Sequence, residues 1–392
     1  IQDIVNTYLT LKKKFGEEIR EKSGGTPTIA GKILWIKNEF LQKYEKVSKF
    51  INLMSYVSGK ICKLKGSDAF IDYSCLTMTG LANIKEGKWD RGICKKIECD
   101  IEKLPKIVKP YEVVGYIDKN VFGTKKDIKV LAGCGDQVSG FLGAGIINDR
   151  DIIDVSGTYV ILGYCTNKYI SDPNKIIHSI YSGISDIYYQ VAIISVGGYT
   201  YKWFVERFGY CVKPKESLKP KISEGLYFIP HFSGRISPTQ TYFKGAWIGI
   251  DWKHNLDSFY LSMLEANGYE FNYLLEIISE INSLDFDVFK EITVIGGGSE
   301  NKVENQIKAN ILNLRYIKPN RLPFEIMGGF LIAKYMKNVK EGYNELIENG
   351  IVFIENIIEP EYEKVKFYDK NKKIYIKMID KLGELFREIN SF

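Results

Sequence analysis

Residues 133–137 read Gly-Cys-Gly-Asp-Gln, and residues 154–158, about twenty residues further on, read Asp-Val-Ser-Gly-Thr. The first segment places a carboxylate, Asp136, after glycines that let the backbone approach a ligand closely. The second segment places a hydroxyl and free backbone N–H groups in a tight turn suited to phosphate. Together the two segments predict a phosphoryl-transfer site, in which one supplies a base and the other holds phosphate.

Each segment also has a purely structural interpretation. Asp136 is suited to cap a helix predicted for residues 138–146, because Asp is a favoured N-cap residue. Gly157 and Thr158 lie between two apolar, strand-like runs, and hairpin turns use glycine for backbone reasons alone. Taken one at a time, the segments leave both interpretations open.

A third segment, Gly296-Gly297-Gly298-Ser299, follows a predicted strand and precedes Asn301 and a predicted helix. Successive glycines after a strand let a flat ring or a phosphate lie against the backbone. A dinucleotide fingerprint needs a third glycine three residues after the second. Asn301 occupies that position here, and Val138 occupies it in the Gly133 segment. The spacing therefore disfavours a nicotinamide-dependent dehydrogenase.

The composition is that of a globular, multi-domain protein of 392 residues. Its 54 basic and 48 acidic residues give a net charge of +6 without a long block of like charge, so nothing indicates nucleic acid or membrane as a partner. The seven cysteines form no C-x-x-C pair, which argues against zinc and disulfide frameworks. No apolar run approaches the roughly 18 residues of a membrane span. We therefore expect a cytoplasmic location.

The hydrophobic pattern changes along the chain. Residues 5–105 are mostly helical in pattern, and a short strand is predicted at 129–132. A domain boundary is expected near residues 140–150. Beyond it, strands alternate with helices, which indicates an α/β domain. The predicted strands include 151–165 and 291–295, and the predicted helices include 256–279, 303–312 and 326–336.

The order of these motifs resembles the FGGY family of carbohydrate kinases over essentially the whole chain. Gly135-Asp136-Gln137 resembles the family's Gly-Asp-Asn/Gln catalytic turn, and Ser156-Gly157-Thr158 resembles its second phosphate motif. The triple glycine at 296–298 is similar to its adenosine motif. Further similarities, in the family's order, are Gly198 with Trp203-Phe204, residues 228–238, residues 245–250, Glu265, and Met327-Gly328-Gly329.

The resemblance implies an α/β, two-domain actin-like ATPase (ribonuclease H-like) fold with an interdomain cleft. It implies a sugar-side domain over residues 1–147 and an ATP-side domain over residues 148–392. The last helix of the second domain is a candidate to pack back on the first. Closure around the substrates is expected to keep water from competing with the sugar hydroxyl.

The resemblance also implies roles for particular residues. Asp136 becomes the general base and, with Gln137, a substrate contact, and it would help to hold Mg²⁺ through water. ATP and Mg²⁺ are the implied cofactors, a sugar or polyol is the implied substrate, and a homodimer is compatible with the family. The implied nucleotide contacts are Gly157, Thr158, Gly297, Gly298 and Asn301.

The sequence departs from the family pattern mainly at its start. The family's first Asp-x-Gly-Thr turn has no counterpart here, so the first domain is expected to lack its opening phosphate loop. The segment Ile1-Gln2-Asp3-Ile4-Val5 resembles the family's Trp-Gln-Asp-x-Arg with both Trp and Arg replaced. The glutamate expected before Arg235 is also absent.

Two functional hypotheses follow, and they belong to different classes. The leading hypothesis is ATP-dependent phosphorylation of a sugar or polyol hydroxyl. The alternative is a degenerate kinase fold that binds nucleotide or sugar without turnover. A mechanical or chaperone ATPase is disfavoured, because residues 230–249 resemble a signature of the sugar kinases.

Overall fold

The structure is a computed structural model that describes residues 2–194, 197–210 and 222–389. Ile1, where the family's tryptophan is replaced, lies outside the described residues. The chain divides into two compact units that each combine separate stretches of sequence. The first unit contains residues 1–149, 165–190 and 322–349, and the second contains residues 150–164, 191–321 and 350–392.

The helices of the described residues range from one turn in α6 to almost eight turns in α13. In chain order they are α1 (Gln2–Ser23), α2 (Thr28–Glu39), α3 (Leu41–Lys46), α4 (Leu53–Cys62), α5 (Arg91–Lys96), α6 (Lys119–Phe122), α7 (Asp136–Gly143), α8 (Gly198–Phe208), α9 (Leu256–Ile281), α10 (Lys302–Leu312), α11 (Phe324–Tyr335), α12 (Val339–Glu348) and α13 (Tyr362–Ile389).

The strands are short in the first unit and longer in the second. In chain order they are β1 (Phe70–Asp72), β2 (Ala82–Asn83), β3 (Lys88–Trp89), β4 (Lys106–Val108), β5 (Val113–Tyr116), β6 (Lys129–Leu131), β7 (Ile152–Ser156), β8 (Val160–Thr166), β9 (His178–Tyr181), β10 (Tyr188–Ile194), β11 (Tyr227–Pro230), β12 (Gly245–Ile248), β13 (Glu291–Ile295), β14 (Arg315–Pro319) and β15 (Ile354–Ile358).

Helices α1 and α2 pack together in the first unit and supply one of its cores. Leu11, Phe15 and Ile19 of α1 recur every four residues, so they form one stripe that faces this core. Strands β1 and β4 pair in parallel beside it, and β5 and β6 pair antiparallel. The predicted strand at 129–132 is thus confirmed as β6.

Helices α7 and α11 lie in close contact within the first unit. A Cβ atom at Gly143 would lie 1.9 Å from the carbonyl oxygen of Phe324, and one at Gly328 would lie 1.9 Å from that of Ser139. The Ser139 hydroxyl also donates to the Glu325 carbonyl at 2.7 Å. Only glycine permits this approach, which explains why α11 belongs to the first unit although it lies far along the chain.

A mixed sheet forms the centre of the second unit, with β15, β14, β13, β7, β8 and β10 side by side in that order. Strand β13 runs parallel to both β7 and β14, whereas β7 and β8 form an antiparallel hairpin. The hairpin confirms the predicted turn at Gly157 and Thr158. Ile152, Ile153 and Asp154 are all buried, as expected for a strand covered on both faces.

The observed units differ in extent from the domains expected from the sequence. The first exchange between units falls at residue 149, close to the expected boundary at 147. Residues 165–190 and 322–349, expected in the second domain, are instead part of the first unit. Helix α13 packs mainly on α10 and α9 of the second unit, and it also contacts Tyr227 of β11 and residues 242–243 of the same unit. Within the described ranges, no helix is both long enough and apolar enough to cross a bilayer.

Helix α9 carries a buried carboxyl group, Glu265, in the core of the second unit. Its Oε1 accepts from the Ser223 N–H at 3.0 Å and from the Tyr368 hydroxyl at 2.9 Å. The Ser223 hydroxyl lies 2.8 Å from the Leu226 carbonyl and 2.5 Å from Glu265 Oε2. Because a hydroxyl has one proton to donate, both contacts are satisfied when Glu265 is protonated. Burial raises the pKa of this carboxyl to about 7.

The raised pKa predicts a pH-dependent stability that Glu265→Gln removes. A carboxyl whose pKa is higher in the folded state stabilises the fold fully below its unfolded pKa, and that contribution is lost as the pH rises to about 7 and beyond. Relative to the variant, the native chain should lose about 3 kcal/mol of unfolding free energy between roughly pH 4 and pH 8. Denaturant unfolding of both chains across this range measures the difference. Parallel curves would contradict the protonated Glu265.

Candidate functional site

The first unit contains a cavity of about 550 Å³ at the start of α7. Asp136 and Gln137, the two residues predicted to contact substrate, both line it. The aliphatic and aromatic side chains of α2 and its neighbours form one wall. The polar side chains on the lining are those of Lys32, Asn52, Ser74, Thr77, Thr79, Asp136 and Gln137. Such a mixture of hydroxyl, amide and charged groups suits a small polyhydroxylated ligand.

The structure tests the interpretation of Asp136 as a helix cap. Helix α7 begins at Asp136 itself, and its N-cap residue is Gly135, which makes no side-chain cap. Asp136 Oδ1 accepts the N–H of the adjacent Gln137 at 2.8 Å, and the side chain is exposed. The alternative in which Asp136 is the N-cap residue is therefore wrong. Its side chain therefore lies in the first turn of α7.

A series of buried hydrogen bonds holds the backbone that precedes Asp136. The Gly135 N–H donates to Ser74 Oγ at 2.8 Å, and the Ser74 hydroxyl donates to Asp72 Oδ1. Asp72 is fully buried at the end of β1, and the Ser74 N–H donates to the same Oδ1 at 2.8 Å. Sequence reasoning missed this pair. An Asp-x-Ser turn directly after a short apolar strand is the signal that would have indicated it.

A second cavity, of about 380 Å³, lies in the second unit. The five residues predicted to contact nucleotide all line it, and the structure brings them together from three elements of the fold. They are Gly157 and Thr158 in the β7–β8 hairpin turn, Gly297 and Gly298 after β13, and Asn301, which is the N-cap residue of α10. Tyr201, Glu304 and Gly198 also line this cavity, and sequence reasoning did not assign them to it.

The three successive glycines have different environments. Gly296 has a φ of +87°, and a Cβ atom there would lie 2.6 Å from the Ser156 carbonyl oxygen. A Cβ atom at Gly298 would lie 2.7 Å from the Ser156 Cβ. One at Gly297 would have no protein atom within 4 Å. Gly296 and Gly298 therefore allow the loop to pack on β7, whereas Gly297 leaves open space in the cavity.

A buried ion-pair network joins the two sides of this cavity. Lys308 Nζ lies 2.8 Å from Asp154 Oδ2, 3.1 Å from Ser156 Oγ and 3.0 Å from Glu304 Oε1. Although burial opposes the charged form, the carboxylates of Asp154 and Glu304 raise the pKa of Lys308, so the ammonium is retained. The Lys308 charge also compensates Glu304, whose carboxylate would otherwise repel a phosphate in the cavity.

The Oε1 atom of Glu304 accepts hydrogen bonds from two further side chains in the same network. The Tyr201 hydroxyl donates to Glu304 Oε1 at 3.1 Å, and the Asn267 amide donates to it at 2.7 Å. Helices α8, α9 and α10 are thereby connected at one carboxylate oxygen beneath the cavity.

Side chains that could bind a metal ion are dispersed among the described residues. Among them, no group of three His, Cys, Asp or Glu side chains converges on one metal position. Magnesium in phosphoryl-transfer sites is commonly bound by one or two carboxylates together with phosphates and water. Among the described residues that line the cavity of the first unit, Asp136 carries the one carboxylate.

Both domains of one sequence family match the chain. The N-terminal domain of the FGGY family of carbohydrate kinases matches residues 10–143, and its C-terminal domain matches residues 155–336. The chain belongs to the FGGY family of carbohydrate kinases. The resemblance found from the motifs is thus confirmed over most of the sequence.

Similar FGGY proteins include kinases of different small substrates. A xylulose kinase of Bacillus subtilis (strain 168) is 26% identical over 334 residues, which cover 82% of this chain and 64% of that protein. A glycerol kinase of Mycoplasma capricolum is 26% identical over 355 residues, which cover 86% of this chain and 69% of that protein. The chain therefore spans about two thirds of the length of these relatives.

Solved structures confirm the FGGY fold. The gluconate kinase of Lactobacillus acidophilus superposes with a TM-score of 0.86 at 18% identity, over 99% of this chain and 80% of that one. The glycerol kinase of Plasmodium falciparum, solved with ADP, superposes with a TM-score of 0.82 at 17% identity, over 96% of this chain and 77% of that one. The expected α/β two-domain fold is therefore confirmed.

The environments of Gly297 and Gly298 predict that alanine substitution weakens nucleotide binding at one position and lowers stability at the other. Gly297→Ala adds a methyl group to open space in the cavity, so we expect roughly tenfold weaker nucleotide binding, about 1.4 kcal/mol, with unchanged stability. Gly298→Ala forces the loop away from Ser156 and should lower the unfolding free energy by about 1–3 kcal/mol. Calorimetric titration with ADP and denaturant unfolding measure the two effects, and each variant is the control for the other. Equal behaviour of the two variants would contradict this assignment.

The ion-pair network predicts a large stability loss for Lys308→Met. Removing the ammonium leaves the Asp154 and Glu304 carboxylates buried without a counter-charge, which typically costs about 3–5 kcal/mol. Because burial raises the pKa of Asp154, this carboxyl can then take up a proton, and the loss should shrink at acidic pH. Lys302→Met, an exposed position on the same helix, serves as the control and should change stability by less than about 0.5 kcal/mol. Similar unfolding free energies for the two variants would disprove the structural importance of Lys308.

Proposed function

We propose that this FGGY protein catalyses ATP-dependent phosphorylation of a sugar or polyol hydroxyl, with Asp136 as the general base. One observation carries the proposal: the five residues predicted to contact nucleotide line a single cavity. The exposed carboxylate of Asp136, which lines the cavity of the first unit, supports the proposal further. Membership of the carbohydrate kinase family supports the reaction class.

Asp136 is suited to accept the proton of the attacking hydroxyl. Its Oδ1 is engaged by the Gln137 N–H, which fixes the orientation of the carboxylate without neutralising it. Phosphoryl transfer has a loose transition state, so the base is needed late and its main task is to hold the hydroxyl in line. Gln137 lines the same cavity and can hydrogen-bond a second hydroxyl of the sugar.

The nucleotide would bind in the second cavity. The turn of Gly157 and Thr158 offers backbone N–H groups and a hydroxyl to the phosphates. The open face at Gly297 and the polar side chain of Asn301 leave room for the nucleoside. Magnesium supplies charge neutralisation between the phosphates when bound, and Asp136 is the residue proposed to hold it through water.

Several finer assignments remain part of the proposal. The substrate is assigned only as a small sugar or polyol, since the relatives named above act on xylulose, glycerol and gluconate. The boundary between a sugar-side and an ATP-side domain, a cytoplasmic location and a homodimer are proposed on the resemblance alone.

Binding without turnover is a second candidate function. It is favoured by one observation: among the described residues that line the first cavity, Asp136 supplies the sole carboxylate. A kinase site usually places its metal with more than one acidic group, whereas a binding protein needs none.

A turnover experiment separates the two candidates. The purified chain is incubated with magnesium and ATP together with xylulose, glycerol or gluconate, and ADP release is measured. We expect sugar-dependent release, and we expect Asp136→Asn to lower kcat by about 10²–10⁴-fold while ATP affinity changes less than about twofold. Asp127→Asn, an exposed aspartate of the same unit, is the control and should leave turnover unchanged.

Each result of this experiment has a defined reading. Normal turnover by Asp136→Asn would disprove the assignment of the base. ATP binding by the native chain without sugar-dependent ADP release would favour the second candidate. Absence of ATP binding would contradict both.

A further inference from the structure

A small cavity of about 70 Å³ lies in the first unit, apart from both cavities described above. It is formed by the second half of α1, the turn before α2 and the segment before β9, and none of its lining residues lines another described cavity. Its lining contains three basic side chains, Lys12, Arg20 and Lys175, together with the backbone of Gly25 and the side chain of Thr26. We call it the Lys12 cavity.

Arg20 is buried, with 5% of its surface exposed, yet its hydrogen bonds do not go to a carboxylate. Its guanidinium donates to the carbonyl oxygens of Ile177 and Lys175, each at 3.1 Å, and contacts His178 Nδ1 at 3.2 Å. Burial, with the positive charges of Arg20 and Lys12, lowers the pKa of His178 to about 3, so its ring is neutral. Carbonyls and a neutral imidazole satisfy the donors of Arg20 without contributing a negative charge.

Lys12 has no partner of opposite charge among the described residues. It is partly buried, and its pKa is lowered by burial and by the positive charges of Arg20 and Lys175. Two like charges close to Lys12 raise the free energy of the ligand-free state. Lys12 would therefore gain from an anion in the cavity.

Two carboxylates lie near this group, and neither fills the cavity. Glu17 pairs with Lys175 at 3.0 Å, but the Glu17 side chain is 89% exposed, so water screens the pair. Asp172 is buried and lies close enough to affect Arg20. Its oxygens accept the N–H groups of Asn174, Ile176 and Ile177 at 2.7–2.8 Å, so they are engaged in the loop itself. Three cations thus share two carboxylates, of which Glu17 is screened by water and Asp172 is hydrogen-bonded to the backbone of its own loop.

We propose that the Lys12 cavity binds a phosphate group, supplied by inorganic phosphate or by a small phosphate monoester. The volume accommodates several waters or one tetrahedral oxyanion and excludes a nucleotide. Lys12 and Lys175 are the donors, and Arg20 adds positive charge to the same cavity. The Thr26 hydroxyl also lines it and is already paired with the Thr28 hydroxyl at 3.0 Å. This site does not depend on the kinase activity proposed above, because it shares no residue with either cavity of that proposal.

Binding at this site would join α1, the 24–27 turn and the 172–177 loop through one ligand. The Gly24 carbonyl already accepts the Ser179 N–H at 2.9 Å, and the Thr77 hydroxyl donates to the Ser179 carbonyl at 3.0 Å. Backbone hydrogen bonds through Ser179 therefore connect the 24–27 turn to Thr77, which lines the first cavity. A bound phosphate should stabilise the first unit by mass action.

Thermal unfolding of the native chain tests the proposal. Melting temperatures are compared in sodium phosphate and in sodium chloride of equal ionic strength, with glycerol phosphate as the monoester. We expect Tm to rise in a saturable manner with inorganic phosphate, the monoester or both, and stronger binding of one identifies the source. Equal melting temperatures in phosphate and chloride would overturn the proposal.

Lys12→Met distinguishes this site from phosphate binding elsewhere. The variant should melt at a higher temperature than the native chain in chloride, because repulsion with Arg20 and Lys175 is removed, and it should bind phosphate at least tenfold more weakly in calorimetric titration. Lys13→Met, an exposed lysine on the same helix, should leave the phosphate response intact. Lys175→Met provides a second route if the first variant folds poorly. An unchanged phosphate response in Lys12→Met and Lys175→Met would disprove the site.

Discussion

The buried ammonium group of Lys308 is the interaction on which the cavity of the second unit depends. It lies within 3.1 Å of Asp154, Ser156 and Glu304, and it thereby ties the central strand β7 to helix α10. A buried ion pair is seldom a net gain in stability over apolar packing, because desolvation opposes it. Its value here is geometric, since three polar partners fix one position of the Ser156 turn relative to the helix.

The glycine loop after β13 is shaped by the same constraint. Once Ser156 is fixed, Gly296 and Gly298 must pass against its backbone and Cβ, and no side chain fits at either position. Gly297 faces the space that remains. The cavity is therefore defined by a buried charged network on one side and by missing side chains on the other.

The first unit uses a comparable arrangement with neutral and carboxyl groups. Asp72 and Ser74 hold the Gly135 N–H, and this places Asp136 at the first turn of α7 with its carboxylate exposed. The Gly143 and Gly328 contact fixes α7 against α11. In both units the residues proposed to contact a ligand are exposed or half-buried, and the charged and hydroxyl side chains that position them are buried.

The sequence by itself determined the α/β character, the hairpin turn, the FGGY family and seven of the residues that line the two main cavities. These are local properties: a turn needs glycine, a helix needs its period, and a motif keeps its own spacing. Only the tertiary structure decided which distant charges meet. Lys308 reaches Asp154 across 154 positions of sequence, and Arg20 reaches His178 across 158. Local pattern carries no information about such pairs, because each lysine or aspartate alone is equally compatible with a solvated surface. For the same reason no local pattern indicated that residues 322–349 join the first unit, because that placement depends on two glycines that meet across α7 and α11.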